Sequence, residues 1–243
     1  MFQNTQPDDR AELMRVSEFE REEGDAALAE NAAQAEAGAT RLSALNPSLL
    51  QDLMRFERSH RPGEGLDVLE VLAASLRHGQ PVLMHLQTDY RVLPLAVLPE
   101  PRELRSPLPL ERLLQLRLPE LRVLRVQPAP CTDGAAGDAL GCAEPLGPWL
   151  WELALRGSRE ALLPEIGGVA AYRVAPGVDL APLDLRGSLA AAVARLREQA
   201  APLREIAGWP GFDRERAMRM LNGLYLQAAL MVSRTHPGAI AGA

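Results

Sequence analysis

The chain contains no lysine: all 26 basic residues among its 243 are arginines, from Arg10 to Arg234. No side chain here can form a Schiff base, fill the lysine position of a phosphate-binding loop, or serve as the lysine of a kinase or serine β-lactamase site. Isoleucine occurs only at Ile166, Ile206 and Ile240, and aromatics are 4% of residues, so any core is built from leucine, valine and alanine. This is the residue usage expected of a GC-rich bacterial genome. No apolar run reaches the roughly 18 to 20 residues that span a bilayer. The opening MFQNTQPDDRAEL lacks a basic start followed by an apolar stretch, so no signal peptide is expected and the cytoplasm is the default location. HExxH, CxxC and GxSxG do not occur, and no glycine-rich nucleotide fingerprint follows a strand. GEG at 63–65 and Gly167-Gly168 read as turns. No cofactor or metal is expected.

What is present is unevenly charged. The net charge is −6, and residues 1–42 carry all of it, with ten acids against four arginines. The remaining 22 acids and 22 arginines balance, which argues against a broad nucleic-acid footprint. Residues 1–43 therefore read as an acidic, mobile tail or as a segment that folds onto a partner. Within it, Leu13, Val16 and Phe19 fall at three-residue steps and could form one short apolar stripe. Cys131 and Cys142 sit in one loop, at a spacing that neither requires nor forbids a disulfide.

The body begins at Asn46-Pro47, an N-cap followed by proline at the first helical position. Leu49, Leu50, Leu53 and Phe56 predict a helix ended by Arg61-Pro62-Gly63, and Val68, Leu69, Leu72 and Leu76 a second over about 66–78. The alternation of Val82, Met84 and Leu86, then Leu93, Leu95 and Val97, predicts a β-hairpin whose second strand is an edge or irregular at Pro94. A short helix carrying Leu110, Leu113 and Leu114 follows, ended by Pro119, and then a strand, ELRVLRVQP. Residues 129–148 read as a loop dividing an α+β subdomain (44–128) from a mostly helical part (149–243). That part holds a helix from Pro148 to about Arg156, a weak strand VAAYRVAP, and a long helical stretch from Ser188 that Leu203 and Ile206 continue. Its final helix is capped by Asp213, with Phe212 placed to staple onto Ala217. Gly223 inside that helix costs roughly 1 kcal/mol, which a close packing contact would justify. The fold class is α+β, helix-rich, with a small antiparallel sheet and packed helices.

Several constellations could carry function. Arg55, Arg58 and Arg61 form a strip on the first helix that could hold a phosphate, an acidic partner or the acidic tail itself; the alternative is a solvated face. His60 and His78 stand at helix ends, where a cation suits the helix dipole, and His236 lies near the C-terminus. His85 lies mid-strand, opposite the apolar face, and with Asp89 and Tyr90 could make an unrecognised enzyme site. Trp149 and Trp151 are two residues apart and cannot share a helix face, so one is expected buried and the other exposed as an interface anchor. The run PLREIAGWPGFDRERAMRMLNGLYLQAALMVSR resembles the helix–turn–helix–strand core of winged-helix modules. In a DNA-binding version that resemblance implies groove contacts from Arg214, Arg216 and Arg219, with Asp213 and Glu215 opposing them.

These features favour a protein that acts by binding another protein, as an adaptor or regulatory subunit, through Arg55, Arg58, Arg61, Trp149, Trp151, Arg214 and Arg219. A DNA-binding regulator and an enzyme around His85, Asp89 and Tyr90 are the alternatives.

Overall fold

The computed structural model describes residues 13–24, 45–59, 66–129 and 140–235. A helix over 16–24 (α1) comes first. The helical hairpin follows as α2 (Pro47–Ser59) and α3 (Val68–His78). The capping residues behave as their chemistry dictates: Asn46 Oδ1 accepts from the Ser48 amide at 2.9 Å and Asp67 Oδ1 from the Leu69 amide at 2.8 Å. Leu49, Leu53 and Phe56 bury one side of α2 in the same core as Val68, Leu69 and Leu72 of α3.

Five antiparallel strands form the larger sheet: β1 (Val82–Thr88), β2 (Arg91–Leu98), β3 (Glu103–Ser106), β4 (Arg122–Pro128) and β5 (Cys142–Pro145), in the spatial order β4-β1-β2-β3-β5. The expected hairpin is β1–β2, in register from Val82 opposite Val97 to Thr88 opposite Arg91. Between β3 and β4 lie the short helix α4 (Leu110–Gln115) and a 3-10 turn, Leu118–Glu120. Pro94 turns out to lie in a central strand, yet its position is locally an edge. Pairing with β3 covers only Ala96 to Leu98, and the Val92 amide, two residues before Pro94, points away from β1. The proline nitrogen therefore faces a side where no ladder donor is required.

Residues 129–148 are not a plain loop. Within them, β5 pairs with β3, and helix α5 (Leu146–Arg156) starts two residues before Pro148. The chain enters β5 through Gly141 at φ +91°, where a Cβ would stand 2.1 Å from the Ser106 carbonyl oxygen. Only glycine allows that approach.

The C-terminal part is less purely helical than its sequence suggests. It contains a second antiparallel sheet of β6 (Ala171–Val174), β7 (Ala201–Pro202) and β8 (Leu230–Ser233), ordered β7-β6-β8. Helix α6 (Gly187–Glu198) stops before Pro202, and Leu203 and Ile206 belong to a separate short helix, α7 (Leu203–Ile206). Helix α8 (Arg214–Leu226) is capped by Asp213, whose carboxylate accepts from the Arg216 amide at 2.7 Å. Buried residues from Leu13 to Ala229 form one hydrophobic cluster, so the segments 44–128 and 149–243 share a core.

The crossing of α5 and α8 explains Gly223. A Cβ there would lie 2.6 Å from Trp151 Cε3, so the indole packs directly on the α8 backbone. The neighbouring Asn222, fully buried, accepts from the Leu163 amide and donates to the Ala161 carbonyl, both at 2.9 Å.

Candidate functional site

The five-stranded sheet has two different faces. Val82, Met84 and Leu86 of β1, with Leu93, Leu95 and Val97 of β2, point into the main core. The alternate positions, Leu83, His85 and Gln87 with Val92, Pro94, Ala96 and Leu98, form the second face. Leu83, Val92, Ala96 and Leu98 are buried but stand outside the main cluster.

Residues 13–24 form a strap whose Leu13 joins the main cluster and whose remainder docks at this face. Arg15 bridges to Arg91 in antiparallel fashion. The Val92 amide donates to the Met14 carbonyl and the Val16 amide to the Tyr90 carbonyl, both at 2.9 Å, while Arg91 Nη1 donates to the Leu13 carbonyl at 2.9 Å. The strap thus adds a short strand to the exposed stretch of β2. It then turns into α1, where Glu18 Oε2 accepts from the Arg15 amide at 3.2 Å, half of a capping box. Phe19 is the one buried side chain of α1. Its ring stands 4.9 Å from that of His85, and Glu23 closes the contact with an ion pair to Arg125 of β4 at 2.8 Å. The acidic segment expected to be a tail is therefore ordered over these twelve residues. It meets Arg125 on β4, where the sequence suggested the strip on α2.

His85 lies under this strap. Its Nδ1 is buried with no hydrogen-bond partner. Burial, together with the adjacent Arg125 guanidinium, holds its pKa below the ordinary histidine value, against the opposing pull of Glu23. Asp89 and Tyr90 do not join it. They form the hairpin tip beyond the Thr88–Arg91 pair, about 10 Å or more along the strands at the usual rise per residue. Tyr90 is 86% exposed. The trio considered as an enzyme site is not assembled.

The other charged clusters join elements of the fold. Arg159 Nη1 pairs with Asp67 at 2.9 Å and Glu70 at 2.8 Å, and the same guanidinium donates to the Ala161 and Leu162 carbonyls. Arg77 bridges Asp52 and Glu165, and His78 Nε2 meets Asp52 at 2.7 Å. Burial pushes the Asp52 carboxyl up, but His78 and Arg77 together bring it below its ordinary value. Arg102 donates to the Leu226 carbonyl at 3.0 Å, at the end of α8, where a cation also suits the helix dipole. In a chain without lysine, the planar, many-donor arginine fork supplies these multiple carbonyl contacts.

The remaining residues singled out from sequence fall as follows. Arg55 and Arg58 are exposed on α2, Arg58 Nε donating to the Met54 carbonyl of its own helix, and Arg61 lies outside the described residues. So do His60, His236 and Cys131, and of Cys142 only the backbone in β5 is described. Trp149 and Trp151 are both buried, correcting the expectation that one would anchor a partner. Helix α5 is enclosed on several sides, by α8, α4 and β3, so opposite faces of it both lie in the core. Arg214 is exposed, but Arg219 turns inward, donating to Gly157 O at 2.7 Å and Leu155 O at 3.3 Å and pairing with Glu215 at 2.8 Å. Arg216 donates to Ser188 Oγ and lies over the Phe212 ring. The helix–turn–helix–strand order of the winged-helix pattern is present as α7, α8 and β8, but α7 is a single turn and β8 pairs with the distant β6.

An open cleft of about 660 Å³ lies beside Arg156, Arg216 and Arg219, with Glu160, Asp213 and Glu215 balancing their charge. Among the described residues no three histidines, cysteines or carboxylates gather as a metal site, and no helix is long and apolar enough to cross a membrane. Comparison of the chain with protein-family models, characterised proteins and solved structures finds no significant match to any of them.

Proposed function

We propose that this protein is a non-enzymatic bacterial adaptor or regulatory subunit that works in the cytoplasm by binding another protein. One observation carries the reading. The second sheet face holds residues 13–24 in the way a recognition module holds a peptide: by strand addition to β2, an aromatic anchor and a peripheral ion pair. The ionisable clusters elsewhere support it, because their partners are each other and backbone carbonyls.

Photo-crosslinking tests the proposal. A p-benzoylphenylalanine at Tyr90, exposed at the strap's edge, should capture a discrete second protein in the host cell. The same group at Arg186, exposed and far along the chain, serves as the control. Equal, diffuse crosslinking from both positions would remove the reading.

A further inference from the structure

We infer that residues 13–24 act as an exchangeable internal ligand, and that the partner displaces them with a segment of like chemistry. That segment would run extended along β2 and continue as an acidic amphipathic helix with one buried aromatic residue. The inference rests on the protein-binding reading above and adds to it the site, the partner's chemistry and a means of regulation.

The strap's own construction supports exchange. Of the nine residues of α1, Phe19 alone is buried, and of the strap's other side chains only Leu13 is, joining the main cluster. A helix this short does not persist in water without such docking. Its hold on the sheet otherwise consists of hydrogen bonds to the open stretch of β2 and the half-exposed Glu23–Arg125 pair. Bonds and pairs of that kind at a surface contribute little each.

What lies beneath is poorly suited to solvent. Release of the strap would bare the Val92 amide and Tyr90 carbonyl on a strand edge and uncover Val92 and the His85 ring beside them. Unpaired edge groups beside apolar surface are a template for another chain. The charge of the occupant is also specified. Arg125 takes Glu23 from a segment that belongs to the acidic first 42 residues of an otherwise neutral molecule. A basic segment would face Arg125 uncompensated. Because the strap belongs to the same chain, it is held at high effective concentration, so only a partner of better fit displaces it.

The test uses the full-length chain and a fluorescent peptide of residues 13–24 as the probe. Two substitutions loosen the internal copy: Val16→Pro removes the donor to Tyr90 at a first helical position that tolerates proline, and Phe19→Ser removes the anchor. The double variant should bind the peptide at least ten-fold more tightly than the unaltered chain does. Adding Arg125→Glu should reduce that gain several-fold, and a peptide carrying Glu23→Arg should restore part of the loss. No gain would overturn the inference, as would self-association of the double variant that excludes the peptide, since the face would then serve a second copy. Should the variants not fold, hydrogen exchange in the unaltered chain decides. The Val16 and Val92 amides should exchange at least a hundred-fold faster than core amides of β1, and exchange only on global unfolding would make the strap a fixed part of the fold. A partner still crosslinked at Tyr90 after either failure leaves the protein-binding reading standing and removes only the exchange mechanism.

Discussion

The α5–α8 crossing and the N-terminal strap each attach one helix to the rest of the molecule, and they do it by opposite means. At the crossing, Trp151 lies on the bare backbone of Gly223, Asn222 makes two hydrogen bonds to the 161–163 segment, the one to Leu163 buried, and Arg102 and Arg219 reach the carbonyl ends of the two helices. These contacts are buried or part-buried, and each group depends on its neighbour. At the strap, two side chains are buried, the hydrogen bonds follow a strand edge, and most of α1 faces water. The first arrangement can open only if the core opens. The second can open with little disturbance, because the groups it releases are few and only Leu13 among them leaves the main cluster.

The contrast would break first at Asn222. Asn222→Leu leaves the Leu163 amide without its partner inside the core, while the Ala161 carbonyl keeps its bond from Arg159 Nε. The unmade bond at Leu163 should cost about 1–3 kcal/mol, read as a lower denaturant midpoint at unchanged slope. Gly223→Ala comes next. Alanine gains about 1 kcal/mol of helix propensity but forces Trp151 to move, and overpacking of that kind costs about 1–3 kcal/mol, so a net loss of about 1 kcal/mol is expected. A stabilised Gly223→Ala chain would mean that the indole has room to shift and that the crossing is looser than its geometry suggests.

Phe19→Ala should behave differently. The loss in global stability cannot exceed the strap's own docking free energy, so about 1 kcal/mol or less is expected at the main unfolding transition. The Val92 amide should nevertheless lose most of its protection from exchange. A loss as large as that of Asn222→Leu would place the strap with the core and erase the distinction between the two regions.

Much of this was legible in the sequence where the cause is local. Asn46, Asp67 and Asp213 announce helix starts because a cap needs only its own next turn. The β1–β2 hairpin follows from alternation, and Gly223 from the cost of glycine inside a helix. What was not legible depends on residues far away in the chain. The Cys-Ala-Glu-Pro of β5 has no alternation of its own and becomes a strand because β3 offers an edge. Trp149 and Trp151 point to different sides of α5, as their spacing requires, but the sequence could not say that both sides are covered. Leu13, Val16 and Phe19 were visible as apolar positions, but they do not form one stripe: Leu13 joins the main cluster, and Phe19 goes to His85 beside the stretch of β2 that β3 leaves unpaired. His85 followed the same rule: its face was readable from alternation, and its cover was not.

That cover should give the strap a modest dependence on pH. With the strap in place, His85 is half-buried under Phe19, its Nδ1 has no partner, and burial and Arg125 disfavour the charged ring while Glu23 partly favours it. With the strap released, the ring meets water and its pKa returns toward the ordinary value of about 6.5. The docked value is the lower one, so the released state binds the proton more readily. Docking is therefore at full strength above about pH 7 and weakens as pH falls through 6.5 toward the docked value, where the loss levels off. Affinity of the strap peptide for the Val16→Pro, Phe19→Ser chain should accordingly be several-fold weaker at about pH 5.5 than at about pH 7.5, either side of the free histidine value. His85→Gln should flatten the dependence while leaving binding at the higher pH close to unchanged. Equal affinity at both pH values in the parent variant would mean that the peptide docks without covering His85, and hence that the strap's seat is the β2 edge alone.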